Sequence, residues 1–376
     1  MSRRSGRRER RYLNKQNKKQ HLKQYDNINQ VASLNHLYVS ARKSSKGVKW
    51  KASTQRYLLG ILFNIVKTKR DIVNNKDIRQ GFNHFTLNER GKIRKISSVH
   101  FRERVVQKAV CTYVLYPTLT NGLITDNSAS QKEKGTSFAT KRLHKHLAWF
   151  IRRYGRSGYA LCIDYKSYFE NISHKIVKDN YRKYITDTKL LRLLDDFVNA
   201  FGDKGLGLGS ETSQINAIAH VNKIDHYIKE QNKIHCYGRY MDDSYIIHQS
   251  KTFLQQLLNK LKYLLKEYGV IINNKKTHII PLSKCFHFLK TRYFITKDLK
   301  IIKKPTRKSI RNQRRKLKRQ FKLVQNNVLS LEDVRISFNS WKSSMLYRNA
   351  RCVVYNMTNL FKNLVDINQS LYYNTI

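Results

Sequence analysis

The 376-residue sequence predicts an α+β protein, on three observations. Short apolar segments of strand length recur between residues 159 and 295, two of them forming a hairpin with Met241-Asp242-Asp243 at its tip. Segments with helical period lie before, among and after these strands. Hydrophobic residues make up 40% of the chain, including 23 Tyr and 16 Phe, enough to bury a real core.

The elements follow in order. Residues 1–50 read as a basic extension, the first 24 or so too polar to bury much and expected to order on RNA or DNA. Residues 1–70 hold 19 Lys or Arg against Glu9 and Asp26 alone. Helical patterns cover 27–38 and 55–67. Phe82 to Ile96, turning at Asn88-Glu89-Arg90-Gly91, reads as a hairpin with a basic tip. A helix over 102–116 is expected to stop before Pro117. Next comes a strand over 159–163 ending at Asp164. A helix over 211–230 follows, capped by Ser210, with Ile215, Ala219, Ile224 and Ile228 near one face. Strands at 234–240 and 244–248 flank the acidic tip, and a helix over 252–268 stops at Gly269. Short strands recur near 270–272, 278–280 and 292–295. Residues 303–322 carry eleven Lys or Arg and no acid, with Ile310, Leu317 and Phe321 at helical spacing. A capping box, Ser330 to Asp333, opens a helical end running to about 366. There is no repeat, and three prolines mark no linker, so subdomains around one groove are expected.

The charge excludes an ordinary enzyme of small metabolites. There are 75 Lys and Arg against 25 Asp and Glu, a formal net charge of +50, which calls for a polyanionic partner, nucleic acid first. Cys111, Cys162, Cys236, Cys285 and Cys352 have neither zinc-ligand nor disulfide-framework spacing, which favours a reducing compartment. No apolar stretch follows the Arg-rich start, and the longest apolar run, 58–66, is broken by Gly60 and Asn64. The expectation is a soluble, cytoplasmic protein with no membrane partner.

In so basic a chain, the carboxylates at the ends of strands stand out. Asp164 beside Asp242-Asp243 would put three within a few ångströms, a cluster unstable without cations and made of hard oxygen ligands suited to Mg²⁺. Two such ions about 4 Å apart stabilise the attacking and leaving oxygens of phosphoryl transfer. An Asp-Asp pair in a tight turn is more often turn chemistry alone, so the surrounding segments decide.

Those segments carry a resemblance. Leu161-Cys-Ile-Asp164-Tyr-Lys-Ser-Tyr168-Phe169 resembles polymerase motif A, Gly205 to Gln214 resembles motif B, and Tyr240-Met241-Asp242-Asp243 resembles the YxDD box of reverse transcriptases. Asn274-Lys275-Lys276-Thr277 and Phe288-Leu289-Lys290 stand where motif D and the primer grip would lie. Upstream, Gly91-Lys92-Ile-Arg94 and Phe101-Arg102-Glu-Arg104-Val-Val-Gln107 resemble the fingers motif of bacterial reverse transcriptases. The resemblance is collinear over about residues 80–345. It implies a right-hand polymerase with fingers at 51–155, a palm with an antiparallel sheet at 156–298, and a helical basic thumb and C-terminal end at 299–376.

By position, the family implies that Asp164, Asp242 and Asp243, with the Tyr165 carbonyl, bind two Mg²⁺, or Mn²⁺ in its place. A primer 3′-hydroxyl then attacks the α-phosphate of a dNTP. Arg94 and Lys92 neutralise the triphosphate, and Lys276, or Lys275, protonates pyrophosphate. Phe169 is the steric gate against a ribose 2′-hydroxyl, while Leu208, Gly209 and Gln214 lie by the nascent base pair. Arg102, Arg104, Lys134, Met241, Leu289 and Lys290 contact template and primer, and Arg314, Arg315 and Lys318 track the duplex from the thumb. Trp341, Tyr347 and Tyr355 are expected in the thumb core rather than stacked on bases.

Two departures mark a subgroup. Motif B has Leu208-Gly209 and Ser213-Gln214 where most reverse transcriptases have Gln-Gly and a later Ser-Pro, a form that resembles the enzymes of diversity-generating retroelements and defence-linked bacterial and phage groups. Gln131 stands where relatives usually have Arg, though Lys134-Gly135-Thr136 is kept. The implied partners are template RNA, an RNA–DNA duplex, dNTPs, a dedicated non-coding RNA and a small accessory protein. No protease, RNase H or endonuclease segment is expected. An RNA-binding maturase or scaffold with a vestigial polymerase fold, and a template-independent DNA polymerase of the abortive-infection type, stay open as alternatives.

Overall fold

The computed structural model describes residues 13, 14, 16, 17, 20–89 and 92–373, with the side chains of 89, 92 and 368–373 outside that set. Most of the basic arm and the Arg90-Gly91 hairpin tip therefore lie outside the described residues. The first strands, β1 (Phe82–Glu89) and β2 (Lys92–Val99), form the expected antiparallel hairpin, closing at the Glu89–Lys92 pair.

The main sheet is built on β3 (Tyr159–Lys166), whose Ala160, Leu161 and Ile163 are all buried. With β4 (Tyr237–Tyr240), β5 (Asp243–His248), β6 (Ile271–Ile272) and β7 (His278–Pro281) it makes an antiparallel sheet in the order β4-β5-β3-β6, with β7 also on β3. A second sheet, β8 (Phe286–Phe288), β9 (Thr291–Ile295) and β10 (Ile301–Pro305), runs in the order β10-β9-β8.

Three cores hold these parts. The largest joins Leu161, Ile163 and Ile246 of the sheet to helices on both sides of it in sequence, including Phe101–Val110 and Glu211–His220. A second places Leu143, Leu147 and Phe150 of the helix Thr136–Tyr154 against Ala160, Tyr245, Ile247, Phe286 and Tyr293. The third, of Leu317, Phe321, Val334, Phe338 and Met357, belongs to the C-terminal helices Arg307–Gln325, Leu331–Met345 and Arg351–Tyr373 alone.

Several expectations need correction. Residues 1–50 are not one extension: Ile28, Val31, Ala32, Leu37 and Ala41 are buried in the largest core, and Asp26 accepts hydrogen bonds from the Thr186 and Asp187 backbone at 2.8 and 2.9 Å. Pro117 does not end its helix, because a π-turn over Cys111–Leu115 leads into a helix Tyr116–Leu119 whose first turn leaves the proline's missing N–H without consequence. The stretch 211–230 breaks at Val221 into Glu211–His220 and Asn222–His226. Lys303, Lys304 and Pro305 are strand, so the basic helix starts at Arg307. Tyr347 and Tyr355 are 70% and 67% exposed, outside the thumb core. Gly60 splits the second helical stretch into Ala52–Leu59 and Ile61–Val73. These helices bury Tyr57, Ile65 and Ile72 yet leave Leu59, Leu62, Phe63 and Val66 in solvent. No helix among the described residues is long and apolar enough to cross a membrane.

Candidate active site

Strand register brings the three acids to one end of the main sheet. Asp164 on β3 stands opposite Asp243 on β5, and the Tyr165 N–H donates to the Asp242 carbonyl at 3.2 Å, so the β4–β5 turn is laced to β3. Directly opposed residues of an antiparallel pair have Cβ atoms about 5 Å apart, and like charges there repel. Burial, and then the charge of Asp164, push the Asp242 carboxyl above its ordinary range, while Lys276 and Arg94 pull the other way. A cleft of about 480 Å³ opens on Asp164 and Asp243, walled by Lys275, Lys276, Leu289 and Lys290.

Lys276 holds the Asp164 carboxylate with both oxygens, at 2.9 and 2.8 Å, and the Asn273 amide adds a bond of 3.0 Å. An ammonium thus balances the charge that a bound cation would balance. Among the described residues no three His, Cys, Asp or Glu side chains are grouped closely enough to hold a metal. The donor set fits a hard ion once Lys276 releases Asp164: carboxylate oxygens from two paired strand ends and the turn between β4 and β5.

The turn itself is under constraint. Tyr240 pairs with Asp243, leaving Met241 and Asp242 as a two-residue loop with Met241 at φ +55°, a conformation that hairpins usually give to Gly or Asn. What keeps it there is Arg239. Its guanidinium, fully buried, makes a two-pronged ion pair with Asp225, 2.9 Å from Nε to Oδ1 and 2.7 Å from Nη2 to Oδ2. It also donates to the Met241 carbonyl at 3.1 Å and the Ile218 carbonyl at 2.7 Å. The Tyr237 hydroxyl completes Asp225 at 2.6 Å. Sequence reasoning missed this pair; its signal was a lone Arg inside an otherwise uncharged strand, where it can be buried only with an acid partner. Leu289 and Lys290 form a second tight turn between β8 and β9, both with positive φ, +46° and +60°.

A chain of backbone contacts carries the fingers hairpin to the acids. Beyond β3, Phe169 is half-buried against the Tyr168 ring, and its carbonyl accepts from Leu206 N–H at 2.7 Å. Gly205 sits at φ +82°, where a Cβ would lie 2.7 Å from the Glu170 carbonyl oxygen, so only glycine lets the motif B loop approach this turn. Leu208 then accepts from Ser97 N–H of β2 at 3.3 Å, and Gly209 runs against Ile96. Arg94, exposed on the same strand, lies close enough to bias Asp242. The Lys92 side chain lies outside the described residues.

Other assigned side chains are elsewhere. Gln214 is exposed and accepts from the Ser130 hydroxyl at 3.2 Å, on the helix that Ser210 begins; the Ser210 hydroxyl itself goes to Gln107 at 2.8 Å rather than capping. Three residues expected to contact template have protein partners in this structure. Arg102 pairs with Asp71 at 2.5 Å and Thr68 at 3.1 Å, Arg104 with Ser98 at 2.9 Å, and the Lys134 ammonium donates to Thr125 O, Asn127 O and Gln131 Oε1 at 3.0 to 3.1 Å. These cations tie neighbouring loops and helices between residues 68 and 134 to one another. Arg314, Arg315 and Lys318 are exposed on the helix whose other face buries Gln313, Leu317 and Phe321.

Comparisons with known proteins bear on the family and the fold. The sequence pattern of the family reverse transcriptase (RNA-dependent DNA polymerase) matches residues 73–293. No curated protein matches the chain. Among solved structures, telomerase from Candida albicans in complex with the TWJ fragment of telomeric RNA superposes with a TM-score of 0.50 at 13% identity, covering 81% of this chain and 60% of that one. Two apo telomerase structures from Candida tropicalis give TM-scores of 0.46 and 0.47 at 15% and 14% identity, over 59% and 76% of this chain and 55% and 59% of theirs. The chain thus spans three fifths or less of these telomerases, and the first likeness speaks to the fold: a right-hand polymerase. With more than half of its residues matched by the family pattern and its acids in paired strands, the chain belongs to the reverse transcriptase family.

Proposed function

We propose that the protein is an RNA-directed DNA polymerase that extends a primer 3′-end on an RNA template. The observation that carries this reading is the register that sets Asp164 opposite Asp243, with Asp242 in the adjoining turn, at the mouth of a lysine-walled cleft. The 3′-hydroxyl oxygen bonds to the α-phosphorus of the dNTP, the α–β phosphoanhydride bond breaks, pyrophosphate leaves, and the hydroxyl proton passes to solvent. Asp164, Asp242 and Asp243 would hold Mg²⁺, which supplies Lewis-acid stabilisation of the charge developing on the phosphate oxygens. With Asp164 given over to such an ion, Lys276 would be free to face the leaving pyrophosphate, and Arg94, on the hairpin opposite, would meet the triphosphate. Phe169 excludes a ribose 2′-hydroxyl, which makes the product DNA.

The finer reading is a bacterial or phage system, acting in the cytoplasm with a dedicated structured RNA and a small accessory protein. The motif B form Leu208-Gly209 with Ser213-Gln214, and the net charge of +50, support it. One observation favours an RNA-binding protein with an unused polymerase fold: Lys276 already occupies Asp164, one of the three carboxylates. The deciding experiment is dTTP incorporation on poly(rA)·oligo(dT) with Mg²⁺, comparing the parent with Asp242→Ala/Asp243→Ala. Incorporation lost only in the variant is expected. Absence of incorporation in both, with co-purifying RNA supplied, selects the scaffold, and equal incorporation in both removes the acids from the chemistry.

A further inference from the structure

A cleft wider than the one at the acids lies elsewhere among the described residues. It measures about 1260 Å³ and lies between β9–β10 and the segment joining the two last helices. It shares no lining residue with the cleft at Asp164. In the β10-β9-β8 sheet, β8 leads into the Leu289-Lys290 turn of the acid cleft and β10 is the opposite edge, roughly 10 Å away across two strand spacings.

The walls are of one sign. Arg292, Lys303, Lys304, Lys342, Arg348 and Arg351 line the cleft, and no Asp or Glu does. Two flat rings, Tyr347 and Tyr355, stand in it at 70% and 67% exposure, an outlay of aromatic surface that folding leaves unused. The backbone edge of β10 is closed: Asn349 N–H donates to the Lys303 carbonyl at 2.7 Å, and its side-chain oxygen accepts from Lys303 N–H at 2.9 Å. A peptide therefore has no strand edge to join here. Cations without acids, beside rings open on a face, match phosphates and unpaired bases.

We propose that this cleft is a second RNA site, which binds a single-stranded segment by stacking bases on Tyr347 and Tyr355 while the surrounding cations, Arg351 among them, hold its phosphates. It is separate from the path of the template–primer duplex. The proposal needs only that the chain binds RNA, so it survives or fails independently of the polymerase reading.

The test measures fluorescence anisotropy of the full chain with a short oligo(rU) and, separately, with a blunt RNA–DNA hybrid. Tyr347→Ala/Tyr355→Ala is expected to weaken oligo(rU) by about tenfold or more, with hybrid affinity unchanged. Tyr347→Phe/Tyr355→Phe keeps both rings and is expected to restore oligo(rU) binding, which distinguishes lost stacking from misfolding. Arg351→Gln should flatten the salt dependence for oligo(rU) by a log–log slope of about 0.7. Unchanged oligo(rU) affinity in the Ala variant overturns the proposal. So does an equal loss for strand and hybrid, which would assign the tyrosines to the duplex path, and so does failure of the Phe variant to rescue.

Discussion

Arg239 gives the sharpest test of how the catalytic turn is held. Arg239→Lys keeps the positive charge beside Asp225 but replaces a planar fork of donors with a single ammonium, which cannot reach Asp225, Ile218 O and Met241 O together. The Ile218 carbonyl keeps the Asn127 amide at 3.2 Å, whereas the Met241 carbonyl loses its side-chain donor, so the unfolding free energy should fall by about 1–3 kcal/mol. With the Met241 carbonyl released, the left-handed Met241, itself strained by about 1 kcal/mol or more, is free to relax and shift Asp242. Arg239→Met alone strands the Asp225 carboxylate in the core and should cost about 3–5 kcal/mol. The decisive variant is Asp225→Leu/Arg239→Met. Replacing the buried pair with apolar side chains removes the stranded charge, so stability should recover from the single-variant loss yet stay about 1–3 kcal/mol below the parent, because the Met241 carbonyl and the Tyr237 hydroxyl still lack their partners. Nothing then holds Met241, and kcat should stay at least tenfold low with KM for dTTP little changed, a loss of about 1.4 kcal/mol in the transition state. Urea unfolding and steady-state incorporation read the two quantities separately. Recovery of kcat together with stability would refute the clamp and reduce the pair to packing.

Lys276→Gln removes the ammonium that competes for Asp164; because Lys276 is half-exposed, the pair is worth about 1 kcal/mol at most, and half-saturating Mg²⁺ should fall by up to about fivefold in an ion-titrated incorporation assay. Burial holds both His146 and His220 at about 4, below the ordinary 6.5. That depression stabilises the fold above pH 6.5 and is lost as pH falls through 4, at about 3 kcal/mol for each ring, so urea midpoints should drop steeply over that window and less so in His220→Gln. Asp242 has the opposite sign. Its raised carboxyl makes ionisation a cost to the ion-free fold as pH rises, so Asp242→Asn should raise the melting temperature near neutral pH without Mg²⁺ and abolish the Mg²⁺-dependent rise expected of the parent. Phe169→Ala should narrow the preference for dTTP over UTP, and an unchanged ratio would remove the gate assignment.

Much of the site was legible because it is set by period and spacing. A two-residue turn between strands that read as apolar fixes the pairing of Tyr240 with Asp243, a strand ending at Asp164 was readable beside it, and the hairpin 82–99 was visible from its turn residues. What escaped was whatever depends on the partner of a polar side chain. Arg102, Arg104 and Lys134 sit in motif-like positions, yet a sequence cannot say that Asp71, Ser98 and three loop acceptors reach them first. The Arg239–Asp225 pair escaped for the same reason, since fourteen residues and a turn separate the two. Pro117 was misread because a π-turn, which carries no composition signal, changed which N–H mattered.

The bare stripe of Leu59, Leu62, Phe63 and Val66 has a consequence for how the molecule behaves in a tube and in a cell. At low ionic strength a net charge of +50 keeps two copies from bringing these ridges together, and the same charge grips RNA. Salt shortens the reach of both effects at once, from about 10 Å at 0.1 M to about 3 Å at 1 M, while strengthening nothing that hides the ridge. The conditions that strip the protein of nucleic acid are therefore those in which its greasy seam loses its guard, and colloidal stability and freedom from RNA pull against one another.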